Sequence, residues 1–130
     1  DRRLDDDIFY EIADIMKMLG QCIGIANRVI SEKTIKFLRE RSIRRDPTPQ
    51  WLSMSRAHPQ GVTIEGNPQK GEMAAGTMSL EATLRHIYFE EITHLYNIQR
   101  LKKAQGLQIA VDLPKVGYWT LDDWDRSEPT

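Results

Sequence analysis

Residues 84–101, LRHIYFEEITHLYNIQRL, constrain this chain more than any other stretch. At about 100° of rotation per residue, Leu80, Leu84, Ile87, Leu95 and Ile98 fall within one sector of a helix. That sector is the expected packing face. Glu91 lands near its centre and His94 lies in it one turn on, while His86, Glu90, Thr93 and Asn97 lie towards the other side. Ser79 is suited to the N-cap, Glu81 to the first turn, and Arg100, Lys102 and Lys103 to the last turn, with Gly106 as the stop. The spacing predicts a helix over 79–105.

A second helical pattern runs from residue 4 to about 30. Asp5, Asp6 and Asp7 supply negative charge to its N-terminus, and Ile8, Ile12, Ile15, Leu19, Ile23, Ala26 and Ile30 recur at spacings of three and four. Gly20 and Gly24, four apart, would let another helix approach closely or would weaken this one. Residues 31–44, SEKTIKFLRERSIR, continue the helix or restart it after a bend near 31, and Pro47 and Pro49 end it. The helix is therefore expected over 4–44.

Between the two helices, residues 46–78 hold four prolines and four glycines and show little periodicity, so a long loop is expected. Residues 106–130 read as an extended tail with Trp119 and Trp124 as anchors. The expected fold class is all-α: two long antiparallel helices in a single helical domain over 1–130, with the loop and tail appended. A two-helix hairpin exposes too much apolar surface to stand alone. The chain is therefore expected to be a homo-oligomer, at least a dimer completing a four-helix bundle.

Composition excludes several classes. The formal net charge of -1 gives no global attraction to nucleic acid or acidic lipid. No apolar run reaches the roughly 20 residues that span a bilayer, so no membrane partner is expected. Cys22 is the single cysteine, which removes any intrachain disulfide and favours a reducing, cytoplasmic setting. It is read as a small buried hydrophobe. His58 and His86 are read as surface residues. The basic run at Arg39, Arg41, Arg44 and Arg45 is explained by a helix C-terminus, which disfavours nucleic acid as a partner.

The chemistry follows from Glu91. A carboxylate on a packing face must be protonated, paired or bound to a cation. One turn separates it from His94, so both side chains can reach a common point. Glu-x-x-His is the inward-facing unit of carboxylate-bridged dimetal bundles, which need two such units and one further Glu from each of two other helices. Two chains would supply the set if the first helix adds one carboxylate. Glu11 lies in that helix's apolar sector and Glu32 just off its edge, so Glu11 is the first choice and Glu32 the reserve.

On EEITH at 90–94, the helical register and Glu11, the sequence resembles the ferritin-like superfamily, in particular half-sized members in which two helices per chain dimerise around a diiron site. The resemblance implies a dinuclear iron centre between two chains, with Glu11, Glu91 and His94 as metal ligands and manganese as the alternative metal. It also implies oxidation of Fe(II) by O2 or peroxide, a ferroxidase-type oxidoreductase activity. The competing expectation is a non-enzymatic structural or assembly subunit whose loop and tail wrap partner chains within a larger protein assembly.

Overall fold

The computed structural model describes residues 11–126. The expected helix start at residue 4, with Asp5, Asp6, Asp7 and Ile8, lies outside the described residues. The chain divides into two compact units, Asp1–Thr34 and Ile35–Thr130.

In the first unit, helix α1 runs over Ile12–Ser31. Glu11 occupies the N-cap position without a side-chain cap bond, and Asp14 brings negative charge to the first turn. No residue of α1 is buried, although the helix is strongly amphipathic. Cys22 is exposed, contrary to the buried position expected for it. The space beside Gly20 and Gly24 is open.

In the second unit the order is α2 (Ile35–Glu40), β1 (Ser42–Thr48), α3 (Trp51–Ala57), β2 (Val62–Ile64), β3 (Ala74–Ser79), α4 (Leu80–Ala104) and a 3-10 turn at Gly117–Thr120. The strands form a three-stranded antiparallel sheet in the order β1-β3-β2. The all-α expectation, and the four-helix bundle built on it, are therefore corrected: the unit is mixed α/β. The expected helix over 4–44 stops at Ser31, resumes for one and a half turns in α2, and gives way to β1. The expected loop over 46–78 holds the end of β1, all of α3 and β2, and all of β3 but Ser79.

The reasons are local. Ile43 pairs with Met78, Arg44 with Thr77 and Arg45 with Gly76, after which the register slips before Thr48 meets Ala74. Pro47 sits in that slip, on an edge strand, where its missing N–H breaks no ladder bond. Central β3 alternates as a strand should, with Ala74, Gly76 and Met78 turned to the buried side. Trp51 and Met54 of α3 pack there with Met78, Ala82 and Tyr118 to make the core. Gly76 makes this possible: a Cβ at that position would stand 2.6 Å from the Thr63 carbonyl oxygen and 3.1 Å from the Trp51 ring.

Helix α4 is close to the helix predicted from its pattern. The Ser79 side chain caps it by accepting from the Ala82 N–H. Its end is a Schellman motif, with Leu107 N–H on the Lys102 carbonyl and Gly106 N–H on Lys103, and Gly106 takes the positive φ of 71° this requires. Beyond it the tail returns along α4. Trp119 stacks on Tyr96 with ring centroids 4.3 Å apart, and Tyr118 is buried against the core.

The face of α4 that packs is the main surprise. Ala82, Phe89, Ile92 and Thr93 turn inward, with His86 and Tyr96 partly covered. Ile87, Leu95, Ile98 and Leu101 are exposed, Ile87 at 53% and Ile98 at 52%. The more apolar sector of the helix is the one left uncovered.

Candidate functional site

Among the described residues of the second unit, His58, Tyr118, His86 and Glu90 form a relay of titratable side chains. His58 follows α3 as its C-cap residue and is fully buried. Phe89 stacks on its ring at 5.1 Å. Tyr118 arrives from the 3-10 turn and places its hydroxyl 3.2 Å from His58 Nε2 and 2.6 Å from His86 Nδ1. One tautomer pattern satisfies this chain: His58 Nε2–H donates to the phenol oxygen, and the phenol O–H donates to His86 Nδ1. His58 Nδ1 is then a bare lone pair, buried without a hydrogen-bond partner.

Burial dominates the electrostatics. It lowers the His58 pKa to about 4, with the positive fields of His86 and Arg85 acting in the same direction. Burial also lowers His86, although Glu90 pulls the other way. The Tyr118 phenol is raised by burial and by Glu90. The imidazoles are therefore neutral and the phenol protonated near neutral pH. Glu90 lies 3.8 Å from His86 Nδ1 and 3.9 Å from His94 Nε2, one helical turn to either side. This arrangement holds its protons tightly and joins α3, α4 and the tail. It suits a structural polar core better than an exchanging acid and base.

The residues singled out from the sequence lie elsewhere. Glu91 is on the uncovered sector of α4, and His94 is 68% exposed. Glu11 is at the exposed start of α1 and Glu32 is its C-cap residue, both in the first unit. Among the described residues, no group of three or more His, Cys, Asp or Glu side chains is placed to hold a metal ion. The single chain thus shows no metal-binding group among the described residues, and the reasoning that led to one is corrected: Glu91 faces solvent, where a carboxylate needs no cation.

Of His58 and His86, both read as surface residues, His58 is fully buried and His86 is mostly covered, and Tyr118 carried no sequence signal as their partner. The repeat Ala82, His86, Phe89, Thr93, Tyr96, at spacings of three and four, does mark the packed face of α4. Its mixed polarity hid it beside the more apolar neighbouring sector. Arg39 and Arg44 of the basic run pair with Glu81 at 2.7 Å and Glu65 at 3.0 Å. Arg45 turns towards the sulfur atoms of Met54 and Met78.

No protein-family model, curated protein or solved structure matches the chain. Among the described residues no helix is long and apolar enough to cross a membrane.

Proposed function

We propose that this chain is a non-catalytic assembly subunit that associates with further copies of itself through the uncovered apolar faces of α1 and α4. The observation that carries the reading is the pairing of amphipathic pattern with exposure. Ile12, Met16, Leu19, Ile23 and Val29 of α1 are exposed, as are Ile87, Tyr88, Leu95, Ile98 and Leu101 of α4. Covering the exposed part of one such side chain yields on the order of 1 kcal/mol. A single face thus yields roughly 5 kcal/mol, against an association cost of roughly 4–15 kcal/mol. Two faces, each used twice in a symmetric pair, exceed that cost. The helices carry the contacts in this reading, because the strands of 46–78 and the returning tail are used within the chain. The lone Cys22 suits a reducing, cytoplasmic setting for such a subunit.

The test is sedimentation equilibrium on the full chain, on the double variant L19D/I23D and on I98D. The unmodified protein is expected to be a dimer or larger, and both variants to shift towards monomer with unchanged helical content. A well-folded monomer at every concentration would sink the reading.

A further inference from the structure

We infer that the groove between the C-terminal half of α4 and the returning tail is a binding site for a phosphate group carried by a small molecule. The groove has a volume of about 180 Å³ and is lined by Arg100 and Lys103 from α4, Arg126 from the tail, Gln99, and the stacked pair Tyr96 and Trp119, with Ile109. Among the described residues no carboxylate lines it. Asp123 and Asp125 line a separate cavity that shares only Arg100 with this one.

Three cations around so small a space repel one another unless something negative joins them. The helix dipole accounts for Lys103 near the end of α4. It does not account for Arg126, which the tail brings in. Arg126 is fixed by donating from Nε to the Trp119 carbonyl at 2.7 Å and from Nη2 to the Leu121 carbonyl at 2.6 Å. Both acceptors are uncharged, so the guanidinium is positioned without being neutralised by them. Arg100 likewise donates through Nη1 to Asn97 Oδ1 and to the Asp125 backbone carbonyl, its Cζ lying 5.8 Å from the Trp119 ring centroid. Its Nε is buried without a hydrogen-bond partner. Tyr96 and Trp119 stack on each other at an interplanar angle of 7° and form a rigid wall.

Preset guanidinium groups with an added ammonium are the donor set that suits phosphate oxygens. The volume falls below the roughly 300–1,000 Å³ of sites that enclose drug-sized ligands. The groove therefore takes the phosphate and leaves most of the attached group outside. A sugar phosphate and a mononucleotide share this chemistry.

The test is calorimetric titration of the full chain at low ionic strength with inorganic phosphate, ribose 5-phosphate and adenosine monophosphate. One phosphate per chain is expected to bind saturably, and binding should weaken with added salt. K103Q and R126Q remove charges from exposed side chains and should each weaken binding roughly tenfold, as expected for loss of a charge-assisted contact. Tighter binding of the nucleotide than of the sugar phosphate would identify a nucleotide as the source, and equal binding a phosphorylated sugar or related metabolite. The inference is overturned if none of the three binds saturably, or if the K103Q/R126Q double variant binds as the unmodified chain does.

Discussion

The hydroxyl of Tyr118 stands 2.6 Å from Nδ1 of His86 and fastens the returning tail to α4 from inside the core. The same oxygen reaches His58, 60 residues away in sequence. Replacing Tyr118 by Phe keeps the ring packing but leaves two imidazole nitrogens without their partner. The expected cost is about 1–3 kcal/mol, read as a lower urea midpoint with an unchanged slope. A midpoint equal to that of the unmodified protein would mean that the relay contributes nothing to stability.

Acid should weaken the second unit in a defined window. The His58 pKa is lowered from 6.5 to about 4 in the folded chain. Between those values the unfolded state binds a proton that the folded state refuses, so stability falls as the pH falls through the window. It is fully present above about 6.5 and lost by about 4. Arg85, His86, Phe89 and Tyr118 face the ring, and none of them offers it a carboxylate. The full shift corresponds to an upper bound of roughly 3 kcal/mol. Urea titrations at intervals from neutral pH downward should show the decline, and H58Q should flatten it.

Gly76 should tolerate no side chain. In G76A the new methyl would meet a backbone oxygen and the Trp51 ring at once. Neither can swing aside, because Thr63 is held in β2 opposite Thr77 and Trp51 is fully buried. The expected destabilisation is about 2 kcal/mol or more, visible in thermal unfolding followed by near-ultraviolet circular dichroism.

Glu91 is the charged residue in the middle of the uncovered sector of α4. If that sector is a self-association seam, E91L removes a carboxylate that would otherwise be desolvated there. The association constant should rise, as when a polar residue is replaced at a coiled-coil seam position. Weaker association in E91L, together with loss from the variant of a metal that the unmodified protein binds, would instead favour a ligand role. Elemental analysis alongside sedimentation reads both.

How far the sequence revealed this molecule can be judged element by element. Helix α4 was legible from Ser79 to Gly106 because cap, charge and stop signals agree with its period. The strands were not. IRRDP and AAGTMS are short and lack β-branched runs, and their pairing is set by contacts across some thirty residues. The face of α4 that packs was misread for a physical reason. Apolar content ranks sectors by what could be buried, whereas the tail selects the sector that its own aromatic residues and Tyr118 hydroxyl can satisfy. The same rule hid the relay, since His58 and His86 are polar residues whose burial depends on Tyr118, distant in the chain.

The partnership of Tyr118 with His58 also bears on how the chain is made. During synthesis α1 leaves the ribosome before the second unit and presents its apolar face well before β3 arrives to join β1 to β2. The core of the second unit cannot close until Tyr118 has emerged as well. A nascent chain stalled between α4 and the 3-10 turn would hold a formed helix over an open core, with His58 wet and able to take a proton.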